Sequence, residues 1–217
     1  MLNSMTGIFL SATWDTLLMI VWSTAFAVLV GLPVGVFLWG SARGGCFAMP
    51  KLHRVVSVIV NIMRSVPFII LMVALIPITR WIVGSSIGTA AAIVPLAVGA
   101  IPFFARLVHN ALKAVPVSLT EACEAMGATP WQMVSRVIVS EALPMLVRGM
   151  TLTAVTLVGY SAMAGAVGGG GLGDVAIRYG YNQFDLSVMS ITVVILVVLV
   201  QLIQWLGDAW ANKLDHS

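Results

Sequence analysis

The chain has 217 residues, of which 60% are hydrophobic and only 9% charged, with a net charge of +3 and a mean hydropathy of +1.05. Soluble domains carry roughly 25% charged residues, so the composition excludes a soluble globular domain and points to one compact membrane bundle, residues 1–217, without an appended soluble domain. The two cysteines, Cys46 and Cys123, and the scattered His53, His109 and His216 offer neither a disulfide framework nor metal-ligand spacing.

No positively charged stretch precedes the first apolar run, so the N-terminus is not read as a signal peptide. Apolar segments near 13–40, 55–79, 87–109, 145–167 and 186–206 are each long enough to cross a hydrocarbon core, which takes about 20 helical residues. They predict an all-α membrane protein with five transmembrane helices. Arg43, Lys51, Arg54, Arg106, Lys113, Arg136, Arg148 and Lys213 fall on one side of these spans; Arg80 and Arg178 fall on the other. Excess Lys and Arg marks the cytoplasmic side, which predicts an N-out, C-in topology.

Pro33, Pro67, Pro77, Pro95 and Pro102 lie within the expected spans. In lipid the backbone groups that a proline frees must find partners in neighbouring helices or in a water-lined cavity. These helices are therefore expected to surround something. Span two carries Arg64, about 15 Å along a helix from Arg54 at 1.5 Å per residue. A charge at that depth should face a cavity, a partner or the bundle interior, and Asn61 and Ser65 supply a polar face beside it. The alternative is that span two projects into the cytoplasm and Arg64 snorkels.

Between spans three and four, the segment about 113–144 is moderately polar. Ser118 with Glu121, and Thr129 with Gln132, fit capping boxes, the second with Pro130 at the first helical position. Gly127 stands where a helix C-cap belongs. The segment reads as two short helices joined at a tight turn, a structured knob on the cytoplasmic surface for another protein to grip. Glu121, Glu124 and Glu141 are alternatively caps or solvated charges. A DNA-binding reading fails, because only Arg136 would serve as a base in the second helix.

Span four holds Tyr160, Ser161 and Met163, either packing residues or the lining of a pathway. The run Gly165 to Gly173 with six glycines should then break the helix and let the chain turn or re-enter at the outer membrane edge. It is either a flexible loop or a gate or docking surface there. Asp15, near the outer end of span one, is the only carboxylate in the spans. Ion-driven carriers commonly need such groups deep in the membrane, which favours an energy source outside the chain. There is no GxxxxGK[ST] loop for ATP, and the glycine run lacks the βαβ setting of a dinucleotide site. No cofactor and no enzymatic activity are expected in this chain.

The stretch Glu121-Ala122, followed by Gly127-Ala128-Thr129-Pro130, resembles the coupling loop of permeases from ATP-binding-cassette importers, with Cys123 where a second alanine is expected. Asn61 to Ile70, Ile76 to Arg80 with Ile82-Val83-Gly84, Ala92 to Leu96, Asn110-Ala111-Leu112 and Leu157 to Met163 resemble the permease subunit of methionine importers; the likeness runs from about 13 to 210. It implies a type I importer permease in the cell inner membrane, working as a homodimer with one pathway. Two ATPase subunits, which use the ATP and Mg, would dock at Glu121, Ala122, Glu124, Gly127, Ala128, Thr129 and Pro130. A periplasmic lipoprotein would deliver L- and D-methionine. Asn61, Arg64, Ser65, Tyr160, Ser161 and Met163 are the expected pathway and gate residues; membrane lipid surrounds the chain and no nucleic acid is bound. A permease of this type for another small solute, a channel or ion-coupled carrier acting alone, and a membrane scaffold are the alternatives.

Overall fold

A computed structural model describes residues 2–42 and 45–215; Arg43 and His216, named above, lie outside the described residues. The described residues are helical, with no strand among them. Four helices are long and apolar enough to cross a membrane: α1 (Leu2–Gly40), α5 (Thr89–Lys113), α9 (Leu143–Ala166) and α11 (Leu186–Leu214). The fifth expected span is not one straight helix. It is α2 (Pro50–Ser65) followed, across a 102° bend, by α3 (Phe68–Ala74), with α4 (Ile76–Val83) beyond. Pro67 causes the break: it has no N–H for the helical ladder, and it forces Val66 into an extended conformation.

α1 starts well before residue 13. Its 39 residues span about 58 Å, against a hydrocarbon core of about 30 Å. It runs in the same direction as α5, and the two form the closest helix pair. Gly31 and Gly35, four apart, permit this approach. A Cβ on Gly35 would lie 2.5 Å from the Val108 side chain and 2.6 Å from the Ala105 carbonyl oxygen, the small-residue packing that membrane helices favour. Pro33 lies inside α1, and Pro95 and Pro102 inside α5, whereas Pro67 and Pro77 mark a helix break and a helix start.

α5 is the buried centre, flanked by α1, α2 and α9, with Leu96, Phe104, Val108, Leu146 and Leu157 in one core. α9 ends at Ala166, and the glycine run folds the chain back as expected. Gly168, Gly170 and Gly171 adopt φ of +87°, +78° and +74°, and α10 (Gly171–Val175) returns along the end of α9. Gly165 and Gly173 have no room for a side chain there. The Thr16 hydroxyl accepts from the Leu172 amide at 2.9 Å and ties α10 to α1. Asp185 caps α11 by accepting from the Ser187 and Val188 amides at 2.9 and 3.2 Å.

The helix directions place Lys51, Arg54, Arg106, Lys113, Arg136, Arg148 and Lys213 towards one end of the bundle. Arg148 there pairs with Asp215 at 3.2 Å. Arg80 and Arg178 are at the other end, where Arg178 pairs with Asp174 at 3.2 Å.

Candidate functional site

Two features at different depths carry the functional residues. The first is a corner at the basic end. α6 (Val117–Ala125) leads into α7 (Pro130–Gln132), a π-helical turn (Met133–Ile138) and α8 (Val139–Glu141), which feeds α9 through Ala142. The second short helix is therefore continuous with span four except at that one residue.

Gly127 ends α6 at φ +73°. Its amide donates to the Glu124 carbonyl at 2.9 Å and the Ala128 amide to the Cys123 carbonyl at 3.0 Å, the paired bonds of a Schellman motif. Thr129 and Gln132 then form the expected reciprocal capping box at 3.0 and 3.3 Å. The other expected capping box is absent. Pro116 occupies the N-cap of α6, so Ser118 lies inside the first turn and neither it nor Glu121 caps the helix. A proline fixes the helical start two residues earlier than the serine would.

Cys123 faces inward, buried at 3% exposure, in the core that includes Met133 and Ala142. Glu121, Ala122, Glu124, Gly127, Thr129 and Pro130 are exposed and Ala128 is half-buried; Glu141 is exposed as well. Sequence reading missed Val117, Met126 and Trp131, apolar residues that project from the same corner at 68%, 78% and 75% exposure. Their signal was an apolar residue beside each turn residue of an otherwise polar stretch. Behind the corner the Cys46 thiol donates to the Met133 sulfur at 3.3 Å. Burial pushes that thiol up, with smaller upward contributions from Glu124 and Cys123 against a backbone hydrogen bond, so it stays protonated near neutrality. Both cysteines are free.

The second feature is a cavity of about 240 Å³ at the α2–α3 bend, lined by Met63, Arg64, Val66, Phe68, Leu71, Gly99, Phe103 and Tyr160. Gly99 and Phe103 place it level with the middle of α5. Arg64 is in the last turn of α2 and faces this space. Tyr160 stacks on Phe68 with ring centroids 4.5 Å apart and planes 3° from parallel. Asn61 lies a turn back along α2, where its side-chain oxygen accepts from the Arg106 guanidinium at 2.6 Å. The Ser65 hydroxyl is spent on the Asn61 carbonyl at 2.9 Å.

The structure thus brings Arg64 and Tyr160 together and leaves the other expected pathway residues apart from them. Ser161 is 2% exposed and bonds the Val158 carbonyl of its own helix at 2.8 Å. Met163 is 47% exposed, on an open face of α9 that includes Leu152 and Gly159. A larger groove of about 620 Å³ between α1 and the Pro130–Val139 stretch is almost wholly apolar, and nothing in it would orient a charged solute.

Residues 31–216 match the model of a family described as the binding-protein-dependent transport system inner membrane component. The chain belongs to this family. It is therefore a multi-pass membrane component of a transport system rather than an enzyme. It is 54% identical over 215 residues to a Vibrio cholerae protein named a probable D-methionine transport system permease protein MetI, covering 99% of this chain and 95% of that one. Against the Escherichia coli K12 D-methionine transport system permease protein MetI it is 55% identical over 165 residues, 76% of each chain. A chain from inward-facing crystal structures of the MetNI methionine ABC transporter superposes with a TM-score of 0.98 at 52% identity, covering 100% of both chains. A chain of an amino acid ABC transporter solved with histidines superposes at 0.80 with 19% identity, covering 98% of this chain and 96% of that one, which shows the shared fold.

Proposed function

We propose that this chain is the membrane-spanning permease subunit of an ATP-driven methionine importer in the inner membrane. The observation that carries the reading is the full-length likeness, at 52% identity and a TM-score of 0.98, to a chain of the MetNI methionine ABC transporter. Curated relatives named for D-methionine over nearly the whole chain support D- as well as L-methionine as substrates, and disfavour a permease for another solute. Two copies form one pathway, and two ATPase subunits dock at the Glu121–Pro130 corner and use ATP and Mg. A binding protein delivers substrate to the other end.

The basic end of the bundle is cytoplasmic, which gives N-out, C-in topology and puts the docking corner beside the ATPase. Gly84→Cys and Thr129→Cys, in a background lacking the native cysteines, test this. Only the first should react with a membrane-impermeant reagent added outside intact cells; the reverse pattern refutes the topology.

Span four carries the gate. α8 runs into α9 through Ala142 alone, so motion at the corner reaches Tyr160 and Met163 without crossing another span. Met163, on the open face of α9, meets its symmetry mate across the axis and makes an apolar plug. A disulfide between two copies of the Met163→Cys variant in some nucleotide state supports this placement. Its absence in all states, with uptake and leak unchanged in Met163→Ala, leaves Met163 a packing residue.

The decisive assay for the substrate is uptake of labelled methionine by membranes containing the chain and its ATPase, competed by other amino acids. Competition by L- and D-methionine alone is the expected result. Stronger competition by an unrelated amino acid would overturn the methionine assignment.

A further inference from the structure

The α2–α3 break holds bonding capacity that the fold does not use. The Arg64 guanidinium makes no hydrogen bond or ion pair within the described residues. The chain has no Asp or Glu between Asp15 and Glu121, so no carboxylate from its own neighbourhood reaches it. Four residues on, Pro67 offers no N–H and Val66 is extended at φ −78°, ψ 124°. The carbonyls of Met63, Arg64 and Ser65 consequently accept no backbone hydrogen bond among the described residues. The end of a helix carries partial negative charge on such carbonyls.

One unpaired cation and a set of unpaired acceptors therefore stand at the same end of one helix. Arg64, Val66 and Phe68 all line the cavity, so the break opens onto it. The rest of the lining is soft and apolar: the Met63 thioether, the stacked Phe68–Tyr160 pair and Phe103. Aromatic rings and thioethers attract sulfur. Broken membrane helices serve other transporters as solute sites near the bilayer midplane, for the same reason of exposed helix-end groups.

We propose that this cavity is a transit subsite for an α-amino acid zwitterion, an inference that rests on the permease reading above. The solute carboxylate forms a forked pair with Arg64. Its ammonium meets the carbonyls that end α2. A thioether side chain lies against Met63, Phe68 and Phe103. At about 240 Å³ the space is below the roughly 300–1,000 Å³ usual for ligand pockets, which suits brief passage of one small solute rather than storage.

The test uses the full permease–ATPase complex in nanodiscs, with Met63→Cys in a background of Cys46→Ala and Cys123→Ala, and a water-soluble methanethiosulfonate reagent. The introduced thiol is expected to react in at least one nucleotide state. L-methionine at ten times its half-protecting concentration should slow the reaction about tenfold, by mass action. Methioninol, which keeps the thioether and the amine but lacks the carboxylate, should not protect. Adding Arg64→Gln should raise the half-protecting methionine concentration about tenfold or more, as expected for loss of a charge-assisted pair. Equal protection by methionine and methioninol overturns the proposal without any change at Arg64, and so stands even if Arg64→Gln fails to assemble. Reaction without protection by methionine also overturns it, yet leaves the pathway in place. No reaction in any nucleotide state removes the pathway reading as well.

Discussion

The corner at Gly127 and the break at Pro67 both interrupt helices, and they are finished in opposite ways. At the corner, both sides of the turn are closed by hydrogen bonds: the Schellman pair ends α6 and the Thr129–Gln132 box starts α7. At the break, α2 ends and α3 begins with no side-chain cap, and three carbonyls are left over. The corner is on the surface and stiff; the break lines a cavity and is under-bonded. A stiff corner transmits a push from a docked subunit, whereas an under-bonded break can trade its free groups for those of a passing solute. The difference teaches that helix interruptions in this chain are functional parts, and that the finish of each shows which part it plays.

The harshest way to break the comparison is Gly127→Trp. A side chain at φ +73° costs roughly 1–2 kcal/mol, and the ring would stand on the docking surface. The spans should still insert, while ATPase co-purification and methionine uptake fall to background. Normal uptake would show that the corner is not gripped.

Next in size is Pro67→Ala. It restores an N–H in reach of the Met63 carbonyl and relieves the bar on a helical Val66, so the 102° bend should open. Spin labels on α2 and α3 should report a longer separation, and uptake should drop severalfold with the ATPase still docked. An unchanged separation would mean that packing, not the proline, holds the bend.

Thr129→Ala removes one cap, worth about 1 kcal/mol. Uptake per ATP hydrolysed should fall a fewfold, and Thr129→Ser should restore it. Asp185→Ala removes a comparable cap at the far end of the bundle, again about 1 kcal/mol. It should lower thermal stability slightly and leave the coupling ratio unchanged. If both variants change coupling equally, local stiffness at the corner has no special role.

Much of this was legible in the sequence, and the boundary between legible and not has a physical basis. The four long spans follow from sustained hydropathy, and the charge split follows helix direction. Gly127, Thr129 and the glycine run could be read because caps and left-handed turns depend on residues within a few positions. Ser118 misled because Pro116, just as local, starts the helix earlier. Span two looked continuous because hydropathy averaged over 55–79 is insensitive to one missing N–H. The first turns of α1 were overlooked because polar residues there dilute the apolar run. The pairings that build the cavity were out of reach: Arg106 meets Asn61 across 45 residues, and Phe68 meets Tyr160 only through packing. No local pattern encodes either contact.

The account rests most heavily on the corner being the surface that the ATPase grips. Met126→Cys at the corner and Trp81→Cys at the opposite end, each in a background lacking the native cysteines, can be tested with a short thiol-to-amine cross-linker in the assembled transporter. The account predicts a cross-link to the ATPase from Met126→Cys, with a yield that changes with nucleotide, and none from Trp81→Cys. An assembled complex in which Met126→Cys never cross-links, or in which Trp81→Cys does, would contradict it.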